Sequence, residues 1–325
     1  MILGLVEHDR GKLSPLSLEA LTFGRRLAGQ LGVPLDAVVV DPGAGPLVEG
    51  LAAYGVSTVH WVQHELLVEY APEAWAHSLA QLMASLSPEV VLAGGSERSS
   101  EVMAHVAARA NLPLAANCIE AQPGADFTVT RLRWGGSLLE EARLKGAVKL
   151  LTIAPHALVA ETVAGAGQLV VRPVRLELSS KDLRVQVTGR IEAAAGKVSL
   201  AEAPVVVGGG RGTGGAEGFK ALEELAGLLG GAVGCSRAVT SLGWRPHLDQ
   251  VGQTGTRIAP EIYIACGISG AIQHMVGCKA AKHILAINID PDAPIVQHAD
   301  YAIIGDLHQV VPALSAAVRE ARKTS

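Results

Sequence analysis

Val205-Val206-Val207-Gly208-Gly209-Gly210-Arg211-Gly212-Thr213-Gly214-Gly215, followed by residues of helical period over 219–229, reads as a strand, a glycine-rich turn and a helix. Three consecutive β-branched residues suit a strand buried on both faces, the situation of a parallel sheet covered by helices. Glycines let main-chain N–H groups approach an anion closely, the helix N-terminus adds positive dipole, and Arg211 adds a full charge. A nucleotide phosphate would fit such a turn. Its glycines do not spell GxGxxG, however, and a flexible turn with a solvated arginine is the competing reading.

Downstream, the same placement recurs. Ala232-Val233-Gly234-Cys235-Ser236-Arg237 puts a hydroxyl and a cation after a short strand, and Gln250-Val251-Gly252-Gln253-Thr254-Gly255 is a polar loop spaced by glycine. An apolar run over 262–265 leads into Gly267-Ile268-Ser269-Gly270-Ala271-Ile272-Gln273-His274, another over 284–287 leads to Asn288, and a third over 301–304 leads to Asp306. Open α/β sheets bind ligands outside the carboxyl ends of their strands, so polar residues recurring at those ends should converge on one crevice. Taken singly each has a structural reading: Ser236 or Ser269 as a helix N-cap, Asn288 as a turn residue, His274 at the edge of the core.

Upstream, apolar runs of strand length alternate with helical-period segments: 2–6, 16–31, 37–40, 47–54, 58–62, 74–86, 90–93 and 97–110. That alternation favours a mostly parallel sheet with helices on both faces. Between 114 and 178 the pattern changes to strand-like pieces at 127–134, 138–144 and 148–154, with Trp134-Gly135-Gly136-Ser137 as a hairpin turn, and antiparallel strands are expected to join the sheet there. A more charged stretch over 181–203 then gives way to Val205. The fold class expected is α/β in two domains: an N-terminal three-layer α/β domain with some antiparallel strands over 1–195, and a C-terminal doubly wound parallel sheet over 204–325, the boundary falling near 192–204.

The 325 residues are 49% hydrophobic and only 3% aromatic, with 37 glycines, which suits helices packed closely on sheets through small side chains. The formal net charge of −4, with Lys and Arg scattered, argues against nucleic acid as a partner. No apolar stretch reaches the length of a spanning helix without interruption, and the N-terminus lacks a cleavage signal, so no membrane insertion is expected and the compartment expected is the cytoplasm. The four cysteines, Cys118, Cys235, Cys266 and Cys278, make neither a CxxC pair nor a disulfide framework, and reduced thiols without a metal site are expected. His60, His64, His77, His105 and His156 read as surface or edge residues, and the tryptophans as packing.

Together, Gly209-Gly210-Arg211-Gly212, Gly234-Cys235-Ser236-Arg237, the 250–255 loop, Ala259 to His274 and Ala286 to Ile295 resemble, in order and spacing, the alpha subunit of electron-transfer flavoproteins. The resemblance is close over 205–312, while the N-terminal half is compatible with that family's layout. It implies FAD as cofactor, with Arg211 and Ser236 binding it, Arg237 beside the isoalloxazine, and Thr254 approaching flavin N5 on a loop shaped by Gln250, Val251, Gly252 and Gln253. It further implies that Ser269, Gly270, Ala271, Ile272 and Gln273 contact the diphosphate and ribityl region, that His274 faces flavin O2, and that Asn288, Asp306 and Leu307 hold the adenosine end. Thr256-Arg257 and the small Thr213-Gly214-Gly215-Ala216 depart from the family's usual pattern.

The resemblance also implies a heterodimer with an electron-transfer flavoprotein beta subunit. Electrons would pass from flavin dehydrogenases, such as the acyl-CoA dehydrogenases of fatty acid oxidation, toward a quinone oxidoreductase of the respiratory chain. No nucleophile–base pair stands among these residues, so an electron carrier without substrate chemistry of its own is expected. Two other readings remain open on the residues alone: an NAD(P)-dependent dehydrogenase, disfavoured because no acidic residue follows a GxGxxG turn by about twenty positions, and a non-redox adenine-nucleotide-binding module.

Overall fold

The computed structural model describes residues 1–9, 11–67, 69–164, 167–189 and 199–324. The chain divides into two compact units, Met1–Arg190 and Ile191–Ser325. The boundary expected near 192–204 lies largely outside the described residues.

In the first unit nine strands form one sheet. From edge to edge it runs Val170–Val174, Thr58–Val62, Leu35–Val40, Ile2–Val6, Val90–Gly94, Lys149–Ile153, Leu114–Gln122, Phe127–Arg133 and Leu138–Leu144. The central strands are buried on both faces, which is why they read as unbroken apolar runs. Helix Pro15–Leu31 packs on one face through Leu21, Phe23 and Leu27, while Pro72–Leu86 and Glu97–Ala110 cover the other through Trp75, Leu79, Val102 and Met103.

The antiparallel part is narrower than expected. Phe127–Arg133 runs antiparallel to both Leu114–Gln122 and Leu138–Leu144, across the Trp134–Gly136 turn. Lys149–Ile153, grouped with them by its local pattern, lies inside the sheet, parallel to both neighbours. Two side chains also depart from the sequence reading. His60 is buried at 3% exposure, with Nε2 3.0 Å from Asp36 Oδ2 on the neighbouring strand. Trp134, at the hairpin tip, is 78% exposed. All four cysteines are buried and free.

In the second unit five strands form an entirely parallel sheet in the order Ala232–Cys235, Val205–Gly209, Ile262–Cys266, His283–Asn288, Tyr301–Ile304. In chain order this is 2-1-3-4-5, a doubly wound arrangement whose direction of winding reverses between Val205–Gly209 and Ile262–Cys266. Helices Phe219–Leu229 and Leu307–Thr324 cover one face with Phe219, Leu222, Leu307 and Val311; Ile272–Cys278 and Pro294–Gln297 cover the other with Cys278 and Ile295. No described helix is long and apolar enough to cross a membrane.

Residues 177–184 are held on the first unit's helices by Gln81, which bonds the Glu177 main chain, by the Glu73–Arg184 pair and by Asp182. Asp182 accepts from the Ser179 amide and hydroxyl at 3.0 and 2.9 Å and lies 3.0 Å from His77 and 3.4 Å from Arg109. Burial pushes its carboxyl up, but the Ser179 bonds and the His77 imidazole outweigh that and hold it below the usual carboxylate range. A depressed carboxyl contributes stability above its unfolded value and loses it as pH falls through the folded one. Asp182→Asn is expected to cost about 1–3 kcal/mol at neutral pH, a difference that shrinks as pH falls below about 4. Urea denaturation at pH 7 and pH 3.5 measures both; an equal loss at the two values would contradict the electrostatic origin.

Candidate functional site

At the reversal of winding, two glycine loops touch through their main chains. A Cβ on Gly210 would overlap the Gly267 carbonyl oxygen, and one on Gly212 would stand 2.7 Å from Gly267 Cα. Gly210 N donates to Cys266 O at 2.9 Å and Gly212 N to Gly267 O at 3.1 Å, while Gly267 itself sits at φ +61° and donates to Ile287 O. The amides of Thr213 and Gly214 are likewise bonded, to the carbonyls of Gly210 and Arg211. The structure narrows the reading of the turn as a phosphate cradle: four of its amides are satisfied within the protein, and Gly210 and Gly212 serve the close approach of two loops.

The contact leaves a cleft of about 580 Å³ reached from the carboxyl ends of all five strands. Arg211 and Gly212 follow the first strand, Ser236 the second, Gly267 to Ser269 the third, Asn288 to Asp290 the fourth, and Gly305 to Leu307 the fifth. A second cleft of about 390 Å³ is lined by Arg237, Thr240, Ser241, His247, Gln250 and Thr254. Consecutive residues Ser236 and Arg237 stand one in each wall, so one strand end serves both.

Further free donors follow the third strand. The amides of Ile268, Ser269, Gly270 and Ala271 donate to no other part of the chain among the described residues. Gly270, at φ +83°, is held by Ile295, whose amide donates to Ser269 O at 3.0 Å and whose main chain leaves no room for a Cβ. Ser236 begins the helix Arg237–Ser241 without a side-chain capping bond, so its hydroxyl remains available. Arg211 and Arg237 are exposed and have no carboxylate partner among the described residues. The nearby carboxylates are engaged by main-chain amides: Asp290 Oδ1 accepts from Asp292 N and Asp306 Oδ1 from His308 N, each at 2.9 Å. Asn288 is also committed, donating to Ile268 O at 2.9 Å and accepting from Asp290 N at 3.1 Å. It shapes the wall of the larger cleft.

Of the residues singled out from the sequence, Arg211, Ser236, Ser269, Asn288, Asp306 and Leu307 line the larger cleft, and Arg237, Gln250 and Thr254 the smaller. Val251 is core, with Gly252 closing the loop behind it; Gln253 is exposed at the tip beside Thr254. Gly270, Ala271, Ile272 and Gln273 lie along the approach to helix Ile272–Cys278 and line neither cleft. His274 departs most from its expected orientation. It is 7% exposed and turned inward, with Nε2 2.8 Å from the Tyr263 hydroxyl and Nδ1 without a hydrogen-bond partner. Burial lowers its pKa to about 4, only partly offset by the Val251 main chain, so the ring is neutral at physiological pH. Thr240 and His247 were not foreseen; Thr240 follows Arg237 by three residues, a helical spacing that puts it on the same face.

Comparison with known proteins fits this geometry. The sequence profile of the electron transfer flavoprotein domain matches residues 2–179, and that of the electron transfer flavoprotein FAD-binding domain matches 199–279. The electron transfer flavoprotein subunit alpha of Mycobacterium tuberculosis is 39% identical over 323 residues, covering 99% of both chains. That of Thermoanaerobacterium thermosaccharolyticum is 35% identical over 311 residues, covering 95% of this chain and 94% of the relative. Protein FixB of Clostridium saccharobutylicum is 38% identical over 322 residues, covering 97% and 95%. This chain belongs to the electron transfer flavoprotein alpha-subunit family.

Its cofactor is FAD, as the matched FAD-binding domain establishes. The electron transfer flavoprotein site has features that fit that molecule: a crevice of about 580 Å³ at the ends of five strands, free amides at 268–271, and, among the described residues, two guanidiniums without carboxylate partners. The crevice depends on the glycine contact. In Gly267→Ala a side chain must adopt φ +61° with its Cβ 2.7 Å from Gly212 Cα and Leu307 Cδ2. The expected outcome is a stability loss of about 1–3 kcal/mol together with a lower flavin-to-protein ratio on purification. Wild-type values for both would mean that the two loops can separate without harm to the site.

Proposed function

We propose that this chain holds FAD along the C-terminal strand ends and, paired with a beta subunit, carries electrons from flavin dehydrogenases such as acyl-CoA dehydrogenases toward a membrane quinone oxidoreductase, working in the cytoplasm. The observation that carries this reading is the adjacency of the two clefts, one lined by Ser236 and the other by Arg237: a crevice with free amides lies beside a pocket whose cation has no carboxylate partner among the described residues. Arg211 and the 268–271 amides would hold the diphosphate, the wall formed by Asn288, Asp306 and Leu307 the adenosine, and Arg237, Gln253 and Thr254 the isoalloxazine. Carrier behaviour is the reading that the relatives' name, electron transfer flavoprotein, supports. No hydroxyl lining either cleft hydrogen-bonds to a histidine, and no group of three metal-ligating side chains exists among the described residues.

Bound FAD supplies one-electron redox chemistry, in which the ring gains negative charge on reduction. Arg237 favours that charge by a Coulomb attraction that reaches about 4 kcal/mol at 4 Å and an effective dielectric near 20, and is weaker while the guanidinium is exposed to water. The inward, neutral His274 adds no charge, so the electrostatic bias falls on Arg237.

Co-expression with a neighbouring beta-type subunit is expected to give a yellow heterodimer that bleaches with dithionite. A nicotinamide enzyme or a non-redox nucleotide module would be colourless and would not reconstitute with FAD. In the coloured protein, Arg237→Ala is expected to lower the potential of the bound flavin by about 60 mV or more, a tenfold change in a one-electron equilibrium being about 59 mV. Unchanged potentials in spectroelectrochemistry would remove Arg237 from this role.

A further inference from the structure

The turn that forms one wall of the smaller cleft is pinned by an arginine that lines neither cleft. His247 and Gln250 both line the smaller cleft, and Asp249 lies between them in the chain. Arg245 Nε and Nη2 each stand 2.8 Å from Asp249 Oδ2, and Nη1 donates to Glu223 on helix Phe219–Leu229. The guanidinium also lies 5.3 Å from the centre of the Phe219 ring, which is itself fixed because it occupies the space that a Cβ on Gly209 would need. The Arg245 side chain is 17% exposed and that of Asp249 24%, so this pair is drier than a surface ion pair and its planar fork is held from three sides.

A carboxylate on this turn matters to whatever occupies the cleft. Arg237 lines the same cleft, and a free Asp249 would oppose its charge. Asp249 is taken up by Arg245 instead. Two opposite charges 2.8 Å apart act at longer range as a dipole, whose field falls off faster than that of a single charge. The thiol of Cys235, which directly precedes Ser236 and Arg237, registers both charges: burial is the main reason its pKa is pushed up to about 12, Asp249 adds to the rise and Arg245 opposes it. The influence of the pair therefore reaches the strand end where the two clefts adjoin. Glu223 shares the guanidinium but is exposed, where water and salt screen it.

We propose that Arg245 is a positioning residue: it holds Asp249 in a closed ion pair beside the smaller cleft, which keeps the carboxylate's charge off the bound isoalloxazine and leaves Arg237 to set the potential. The inference rests on the placement of FAD proposed above. Removing Arg245 alone uncovers negative charge near the ring and lowers the potential. Removing the Asp249 charge alone leaves a surplus of positive charge and raises it. Removing both leaves the cluster of Arg245, Asp249 and Glu223 with the net charge it had at the start.

The test is a double-mutant cycle on the FAD-loaded heterodimer at low ionic strength, reading midpoint potential and flavin count per heterodimer. Arg245→Met is expected to shift the one-electron equilibrium about threefold toward the oxidised form, about 30 mV, and Asp249→Asn to shift it by about as much toward the reduced form. The two substitutions together are expected to return the potential to near wild type, and Arg245→Lys, which keeps the charge without the fork, to leave it there. A turn that had merely loosened would move the potential the same way in both single variants. Shifts of one sign from both, no shift from either, or a double variant no closer to wild type than Arg245→Met would each overturn the proposal. If Arg245→Met loses its flavin, Asp249→Asn and Arg245→Lys decide: the first must raise the potential and the second must leave it unchanged. A wild-type heterodimer that binds no FAD would instead refute the cofactor placement itself.

Discussion

Main-chain contact between two glycine loops at the reversal of winding is the constraint on which the C-terminal unit depends. Gly210 and Gly212 lie against Gly267 with no space for a Cβ, and their amides bond to the carbonyls of Cys266 and Gly267. Because the loops meet at the backbone, every side chain near them must point away from the contact. Arg211 goes to the cleft, Thr213 returns its hydroxyl to Gly210 O, and Leu307 packs against the Gly212 and Gly267 positions at the start of the last helix. The cleft is therefore a consequence of topology and of absent side chains, and the cations and free amides are placed around a rim that was already fixed.

The first unit shows what the same architecture does when its own chain supplies the anion. Its winding also reverses, between Ile2–Val6 and Val90–Gly94. There Glu7 follows the first of these strands and its carboxylate accepts from Ser96 and Ser99, the N-cap and third residue of helix Glu97–Ala110. A carboxylate at a helix N-terminus satisfies the donors and the dipole that would otherwise attract a phosphate. In the second unit the carboxylates nearest the crevice, Asp290 and Asp306, are turned back onto main-chain amides, so the guanidiniums face outward unneutralised. Charge placement, more than fold class, distinguishes the two strand-end crevices.

Much of this was legible in the sequence because local pattern reports burial. Val205 to Val207 and Val38 to Val40 read as buried strands since both faces of a parallel sheet are covered, and polar residues at strand ends marked the crevice before its geometry was seen. Direction was not legible: Lys149–Ile153 looks like its antiparallel neighbours because apolar runs do not encode which way a strand is threaded. The purpose of Gly210 and Gly212 was hidden too, since a turn that receives a phosphate and a turn that receives another loop need the same absence of Cβ. His274 turned inward because of Tyr263, eleven residues away, whose hydroxyl occupies the space above Gly208. Asp36 made His60 a buried residue in the same nonlocal way.

The neutral state of His274 bears on what the beta subunit implied by the family would contribute. With that ring uncharged, the proposed placement of FAD leaves Arg237 as the source of the electrostatic pull on an added electron, and a guanidinium exposed to solvent is screened by a high dielectric. The same charge acts several times more strongly once water is removed from around it. A beta subunit that closes over the smaller cleft would therefore raise the influence of Arg237 without touching it, and would convert an accessible cation into one that sets the redox poise. On this view the alpha chain would supply the charge, and the assembly the low dielectric in which it acts.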